Sequence, residues 1–321
     1  MATLNLDLNE SGSLKKPRSY ARTNDYEAAR QVIANYTGLD PKGIAVTNGS
    51  YHALDLIFGS FLKAGAEAII PVPTFPFYQK LEWSEHLELK KIRCVSEADY
   101  DQVLEAISPE TKALYLANPN NPLGYLLPLS LLTKILTQAQ ANKTWVVVDE
   151  AYYEFSGLTL APLLNQFENL IIVRTFSKAF GLPGTRMGYI LAQPAVISKL
   201  EELKGPSYII SHYGLDLVTK LKPRDFAKVR KNTMEIKDTR EKLVASLKQA
   251  GLTVYPSAAN FLTVKVTDSD RLVKALAERG ILINNLNTYP DGAPELRNHL
   301  RITVPPKSQL VKVTSALLAL M

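Results

Sequence analysis

The chain has 321 residues and a mass of 35.6 kDa, a length that predicts two domains, one of them built from both ends of the chain. Hydrophobic residues make up 46% and charged residues 21%, which is typical of a globular protein and excludes a disordered chain. The formal net charge is +6, and the excess is scattered along the chain. Without a clustered basic stripe, nucleic acid is not an expected partner.

Metal and membrane sites are also not expected. Cys94 is the single cysteine, so an intrachain disulfide and a thiolate metal cluster are excluded, and the four histidines lack the spacing of metal ligands. No apolar run approaches the ~18 residues that cross a bilayer. The first ten residues lack a signal-peptide pattern. A cytoplasmic protein is therefore predicted.

Helical and strand-like patterns alternate through most of the sequence. The predicted helices are Asp25–Tyr36, about His52–Lys63, Tyr100–Ile107 and Leu129–Asn142. The predicted strands are Gly43–Thr47, Ala68–Val72, Ala113–Ala117, Trp145–Val148 and Leu170–Arg174. Short apolar strands separated by helices indicate a mostly parallel sheet that is covered on both faces, and hence an α/β fold.

The pattern changes after Pro206. A long charged helix is predicted at Pro223–Gln249, followed by strands Phe261–Val266 and Arg301–Val304 and by helices Ser269–Arg279 and Ser308–Leu320. These elements indicate a smaller α/β unit. We therefore predict a large domain of residues 25–210 and a small domain of residues 1–24 and 211–321.

The segment from Thr175 to Gly188 follows an apolar strand and carries hydroxyls, Lys178, three spaced glycines and Arg186. Ligands of parallel α/β sheets bind outside the carboxyl ends of the strands. Glycines allow the backbone to approach a ligand, an arginine suits a phosphate, and the amine of Lys178 can form an imine. The alternative is a glycine-rich connecting loop with a solvated lysine.

Two other segments end predicted strands in a similar way. Asp149 follows a buried strand, and Tyr152 lies three residues further on. A carboxylate at this place either caps a helix or faces a cationic ring nitrogen. The turn Asn118–Gly124 follows the strand before it and, taken alone, is only a proline-rich turn.

Together these segments resemble the fold-type I aminotransferases of class I/II, which use pyridoxal 5′-phosphate (PLP), and most closely the histidinol-phosphate aminotransferase branch. The family patterns S-K-x-x-G-x-x-G-x-R-x-G, D-x-A-Y and N-P-x-x-P-x-G are all present and in the expected order. The resemblance covers essentially the whole chain. It implies a PLP-binding large domain, a smaller α/β domain, and ping-pong transfer of an amino group between an amino acid, or a histidinol-phosphate-like amine, and a 2-oxo acid.

The resemblance also implies roles around the ring of the cofactor. Lys178 matches the Schiff-base lysine that also acts as general base. Asp149 matches the carboxylate that pairs with the ring nitrogen and keeps it protonated. Tyr152 and Asn121 match hydrogen-bond donors to the ring hydroxyl, and Phe75 matches an aromatic residue that stacks on the ring.

Phosphate and substrate contacts follow from the same resemblance. The implied phosphate contacts are Gly49, Ser50 and Tyr51 at the start of a helix, together with Thr175, Ser177 and Arg186. Arg301 matches the arginine that binds the substrate carboxylate. Tyr20 corresponds to a tyrosine that reaches the cofactor phosphate of a neighbouring subunit, which implies a homodimer with a shared active site.

Two departures from the family pattern bear on specificity. The segment before Asp25 is shorter than usual, and Ile283 stands where the histidinol-phosphate branch carries an arginine that helps bind the substrate phosphate. Because isoleucine cannot pair with a phosphate, histidinol phosphate is a doubtful substrate. Two alternatives to an aminotransferase stay open: a PLP-dependent lyase, such as a decarboxylase or cyclase, and a non-catalytic PLP-binding regulator.

Overall fold

The computed structural model describes residues 21–203, 210–289 and 293–320. Tyr20 therefore lies outside the described residues. The chain divides into two compact units, one formed by residues 1–61 and 173–227 and the other by residues 62–172 and 228–321. Within the described ranges, no helix is both long and apolar enough to span a membrane.

The elements alternate as the sequence predicts. The helices α1 to α11 are, in chain order, Thr23–Thr37, Gly49–Phe61, Tyr78–Trp83, Tyr100–Ala106, Leu129–Ala141, Tyr153–Ser156, Pro194–Leu203, His212–Thr219, Pro223–Gln249, Ser269–Ala277 and Leu310–Leu318. The strands β1 to β11 are Ile44–Thr47, Glu67–Val72, Glu88–Arg93, Thr111–Ala117, Trp145–Asp149, Leu170–Thr175, Gly188–Leu191, Thr253–Val254, Phe261–Lys265, Asn284–Asn285 and His299–Thr303.

The described strands form two sheets. The larger is a mixed sheet of seven strands in the order β1-β7-β6-β5-β4-β2-β3, flanked by helices. In it β3, β2, β4 and β5 are joined by parallel pairs, whereas β1 and β7 are antiparallel. The smaller sheet has the order β10-β11-β9-β8 and its pairs are antiparallel. The predicted α/β fold with a mostly parallel sheet is confirmed.

In the first unit, the pairing of β1 with β7 brings two glycine-containing turns together. Thr47, the last residue of β1, lies opposite Gly188, the first residue of β7. A Cβ atom on Gly188 would lie 2.7 Å from the carbonyl carbon of Gly49 and 2.8 Å from the nitrogen of Ser50. Only glycine allows this approach, so the start of α2 lies directly against the start of β7.

In the second unit, β4 and β5 run in parallel with Ala117 opposite Asp149. Parallel strands that are aligned in this way end at the same edge of the sheet. The smaller sheet packs with α9, α10 and α11 around a core that includes Leu243, Leu262 and Leu300, each with no exposed surface. Burial of this apolar surface stabilises the arrangement.

Most predicted boundaries agree with the structure to within two residues. The start of α2 is an exception, because this helix begins at Gly49 and not near His52. Strand β3 was not predicted. Its sequence, Glu-Leu-Lys-Lys-Ile-Arg, is mostly charged, because β3 is the last strand of the sheet and is partly exposed.

Candidate active site

A cluster of groups suited to an anion lies in the first unit at the start of α2. Gly49 has a φ of +80°, a left-handed conformation that favours glycine, and it turns the chain from β1 into the helix. The hydroxyl of Thr47 donates a hydrogen bond to the carbonyl oxygen of Gly49 at 3.0 Å and fixes this turn. The first backbone N–H groups of a helix attract anions. Ser50 and Tyr51 lie in this first turn, and the Tyr51 side chain is exposed.

Arg186 adds a positive charge to the same place. A Cβ atom on Gly49 would lie 3.0 Å from Nη2 of Arg186, so the guanidinium group is beside the first turn of α2. The other terminal nitrogen, Nη1, donates a hydrogen bond to the carbonyl oxygen of Pro183 at 3.3 Å. An exposed guanidinium next to a helix N-terminus is suited to binding a phosphate.

The loop that carries Lys178 is held by its neighbours. The hydroxyl of Thr175 donates to Oγ of Ser177 at 2.9 Å and accepts a hydrogen bond from the backbone nitrogen of Ser177 at 3.1 Å. Phe176 and Phe180 pack edge to face with their ring centroids 4.8 Å apart. Lys178 lies between these anchors and is exposed. Lys178 is therefore an exposed residue on a loop that is held on both sides.

In the second unit, Asp149 is a buried carboxylate, and each of its two oxygens accepts a hydrogen bond. Oδ1 accepts a hydrogen bond from the backbone nitrogen of Ala151 at 2.9 Å, and Oδ2 accepts one from the hydroxyl of Tyr115 at 3.2 Å. The side chain of Asp149 does not cap a long helix, because α6 begins only at Tyr153. The contact with Ala151 is a local one, two residues further along the chain.

Tyr152 and Arg301 belong to the same unit as Asp149. The ring of Tyr152 packs edge to face on Phe261 with centroids 5.3 Å apart, and the guanidinium of Arg301 lies 5.4 Å from the centre of the Phe261 ring. Burial raises the pKa of Tyr152 to about 12, although the charge of Arg301 opposes the shift. At neutral pH the Tyr152 hydroxyl is therefore a hydrogen-bond donor.

Asn121 connects Arg301 to the turn that follows β4. Nη1 of Arg301 donates a hydrogen bond to Oδ1 of Asn121 at 2.5 Å. The hydroxyl of Tyr289 donates to the carbonyl oxygen of Thr74 at 2.9 Å and lies 3.4 Å from that of Asn121. Burial raises the pKa of Tyr289, so this hydroxyl also stays protonated. Phe75, which follows Thr74, is half-buried.

Three further residues of this unit, Tyr115, Tyr289 and Ile283, bear on the predicted site. The hydroxyl of Tyr115 contacts Asp149 and that of Tyr289 lies near the backbone of Asn121, and neither residue belongs to the family patterns quoted above. Ile283 packs against the core of the smaller sheet, and its neighbour Asn284 is exposed and lies opposite Arg301 in the pairing of β10 with β11. The side chain nearest to Arg301 on β10 is therefore a neutral amide.

The residues present fit PLP. The first turn of α2 with Arg186 fits its phosphate group, and the exposed Lys178 carries an amine that can form an imine. The buried Asp149 carboxylate fits a protonated ring nitrogen, and Tyr152 offers a donor for the ring hydroxyl. Within the described residues, no group of three histidine, cysteine or acidic side chains is placed to hold a metal ion.

Comparisons with known proteins agree with this chemistry. The histidinol-phosphate aminotransferase of Thermoanaerobacter pseudethanolicus is 36% identical over 284 residues, which cover 87% of this chain and 78% of that protein. The corresponding enzyme of Pectobacterium carotovorum is 35% identical over 301 residues, with coverage of 90% and 82%.

Solved structures share the fold. The histidinol-phosphate aminotransferase of Clostridium acetobutylicum superposes with a TM-score of 0.80 at 22% identity, covering 94% of this chain and 90% of that one. The histidinol-phosphate aminotransferase of Sinorhizobium meliloti, crystallised with PLP, superposes with a TM-score of 0.76 at 27% identity, covering 94% of this chain and 83% of that one.

The fold is that of the fold-type I enzymes, which use PLP. The family model for aminotransferase class I and II matches residues 6–318, and the chain belongs to this family. It is a transferase, and its reaction is the PLP-dependent transfer of an amino group.

Proposed function

We propose that this aminotransferase moves the amino group of a carboxylate-bearing amino acid to a 2-oxo acid, with Arg301 as the group that binds the substrate carboxylate. The observation that carries the proposal is the position of Arg301. It lies on the central part of the smaller sheet, opposite Asn284 and hydrogen-bonded to Asn121. Arginine recognises a carboxylate through two parallel hydrogen bonds.

The site residues are assigned as follows. Gly49, Ser50, Tyr51, Thr175, Ser177 and Arg186 bind the phosphate of the cofactor, and Lys178 holds it covalently. Asp149 keeps the ring nitrogen protonated through its negative charge, Tyr152 and Asn121 donate hydrogen bonds to the ring hydroxyl, and Phe75 stacks on the ring. The support for the phosphate contacts is the position of Arg186 beside the first turn of α2.

When bound, PLP supplies a sink for the electrons released at Cα of the substrate. The protein provides the remaining functions. The amine of Lys178 takes the proton from Cα of the substrate, and the hydroxyl of Tyr152 stays protonated because its pKa is raised to about 12. Arg301 holds the substrate carboxylate and so fixes which bond at Cα can break.

The choice of substrate follows from the charges near Arg301. The relatives named above are histidinol-phosphate aminotransferases. A phosphate dianion needs more positive charge around it than a carboxylate does. Strand β10 consists of Asn284 and Asn285 and brings no positive charge opposite Arg301. Ile283 is packed against the core and is not available for a phosphate. A carboxylate substrate is therefore favoured over histidinol phosphate.

A panel assay tests this proposal. The purified protein is incubated with single amino acids, or with histidinol phosphate, and a 2-oxo acid, and the new amino and oxo acids are quantified. We expect amino acids to be donors and histidinol phosphate to be a poor one. Release of carbon dioxide without an oxo acid would support a lyase, although the comparisons point to amino-group transfer.

Three further features belong to the proposal. We assign the protein to the cytoplasm and expect a homodimer in which Tyr20 of one subunit contacts the phosphate site of the other. We also retain the division into a large domain of residues 25–210 and a small domain of residues 1–24 and 211–321. Light scattering of the purified protein gives the mass in solution, and the mass of a monomer would contradict the shared site.

A further inference from the structure

We propose that Tyr115 is a positioning residue for Asp149: its hydroxyl holds the carboxylate in the orientation in which Asp149 pairs with the ring nitrogen of the cofactor. The inference rests on the role proposed for Asp149 and adds a residue that does not itself touch the cofactor. No family pattern quoted above includes Tyr115.

The geometry fixes the plane of the carboxylate from two directions. The Tyr115 hydroxyl donates to Oδ2 of Asp149 at 3.2 Å, while the backbone nitrogen of Ala151 donates to Oδ1 at 2.9 Å. One donor lies on β4 and the other follows β5. A carboxylate that is held at both oxygens cannot rotate about its Cβ–Cγ bond without losing at least one of these hydrogen bonds.

Strand register brings the two side chains together. Tyr115 lies opposite Val147 in the parallel pair of β4 and β5, and Ala117 lies opposite Asp149. Side chains that are two residues apart on a strand point to the same face of the sheet. Tyr115 therefore lies on the face from which Asp149 projects, two residues before the end of β4.

Packing holds the phenol ring of Tyr115 in place. Tyr115 has no exposed surface, and its ring centroid lies 4.5 Å from that of Phe77. Burial, and then the negative charge of Asp149, raise the pKa of Tyr115. The hydroxyl therefore stays protonated and can act only as a donor to a carboxylate that is ionised.

Removing this hydroxyl should weaken the pair between Asp149 and the ring nitrogen. A hydrogen bond to a charged group is stronger than one between neutral groups, and a buried carboxylate that loses one is both less fixed in orientation and easier to protonate. The loss should appear in the affinity for PLP and in kcat, and not in KM, because Tyr115 does not contact the substrate carboxylate.

The test compares Tyr115→Phe with Tyr100→Phe. Tyr100 is also buried in the same unit, but the partner of its hydroxyl is the hydroxyl of Tyr125, 2.9 Å away. Apo protein is titrated with PLP, the visible absorbance of the bound cofactor is recorded, and kcat and KM are measured on the holoenzyme. We expect Tyr115→Phe to weaken PLP binding and to lower kcat, each by about tenfold.

Tyr100→Phe, the control, should keep the PLP affinity, the absorbance and the kcat of the wild type. If Tyr115→Phe and Tyr100→Phe have the same PLP affinity, absorbance and kcat, the proposal is wrong. The melting temperatures of apo and holo protein separate positioning from packing: a purely structural loss would lower both equally, whereas we expect PLP to stabilise Tyr115→Phe less than it stabilises the wild type.

Asp149→Asn separates this inference from the function on which it rests. If Asp149→Asn keeps wild-type PLP affinity and kcat, the role proposed for Asp149 fails. If Asp149→Asn loses both and Tyr115→Phe loses neither, only the inference about Tyr115 fails. In the double variant we expect Tyr115→Phe to add no further loss of PLP affinity, and an additive loss would overturn the proposal.

Discussion

Nη1 of Arg301 donates a hydrogen bond to Oδ1 of Asn121, with 2.5 Å between the two atoms. The two residues lie 180 positions apart in the sequence. Because Oδ1 faces the guanidinium, the amide nitrogen of Asn121 is turned to the other side, where it can donate to a different group. The side chain proposed to bind the substrate thus orients a side chain proposed to bind the cofactor.

Asn121→Asp should impair substrate binding more than Asn121→Ala does. A carboxylate at this distance from Arg301 would form an ion pair, which the substrate carboxylate must then replace. We expect KM for an amino-acid substrate to rise by about tenfold or more in Asn121→Asp and by less in Asn121→Ala. Steady-state kinetics over a range of substrate concentrations measures both values. Equal KM values in the two variants would show that Arg301 does not bind the substrate carboxylate.

Gly188→Ala should disturb the phosphate site. The added Cβ would lie 2.7 Å from the carbonyl carbon of Gly49 and 2.8 Å from the backbone of Arg174 and Ser50. Backbone atoms this close cannot move aside cheaply, so the first turn of α2 must shift. We expect PLP to bind about tenfold more weakly, as measured by titration of apo protein.

Gly184→Ala is the matched control for this variant. Gly184 lies in the same segment, Thr175 to Gly188, but a Cβ on it would meet no neighbouring atom within 4 Å. The control should bind PLP as the wild type does. If Gly188→Ala also binds PLP normally, the close approach of α2 and β7 has no role in the phosphate site.

Acid should destabilise the folded protein through His299. This residue is 2% exposed, its Nδ1 lies 2.9 Å from the carbonyl oxygen of Arg297 and its Nε2 lies 3.1 Å from the hydroxyl of Tyr255. Nδ1 must donate to the carbonyl, so Nε2 of the neutral ring accepts from Tyr255. Burial lowers the pKa of His299, although its hydrogen bond to the Arg297 carbonyl opposes the shift.

The sign of the pH effect follows from this lowered pKa. Below the ordinary value of about 6.5, the unfolded chain binds a proton at His299 that the folded chain resists, so stability is lost as the pH falls toward the folded pKa. We expect the melting temperature of the wild type to fall more steeply between about pH 7 and pH 5 than that of His299→Gln. Parallel curves of melting temperature against pH for the two proteins would mean that His299 does not contribute to the loss of stability in acid.

The alternation of helices and strands was predictable because it depends on local patterns. Apolar strands ending in Asp149 and in the turn of Asn121 are visible in the sequence, and the structure confirms both strands. The contacts of Tyr115 and Tyr289 were not predictable in this way. A tyrosine within an apolar strand resembles a core residue, and its partner is fixed by the register of a neighbouring strand.

Contacts between residues that are far apart in the sequence could not be predicted either. The hydroxyl of Tyr289 approaches the backbone of Thr74 and Asn121, which lie 215 and 168 positions earlier. No local pattern encodes such a contact. The roles of Lys178, Asp149 and Arg186 came instead from the resemblance to a family, and they stay predictions until they are measured.

Lys178 is proposed to bind PLP, and the bound cofactor to exchange amino groups. The most direct measurement is the visible absorbance of purified wild-type protein and of Lys178→Ala, before and after the addition of single amino acids. We predict a yellow wild-type protein that one amino acid bleaches to the pyridoxamine form, and a Lys178→Ala variant with neither the yellow band nor turnover. A Lys178→Ala variant that keeps the yellow band and turns over substrate would show that Lys178 is not the residue that binds PLP.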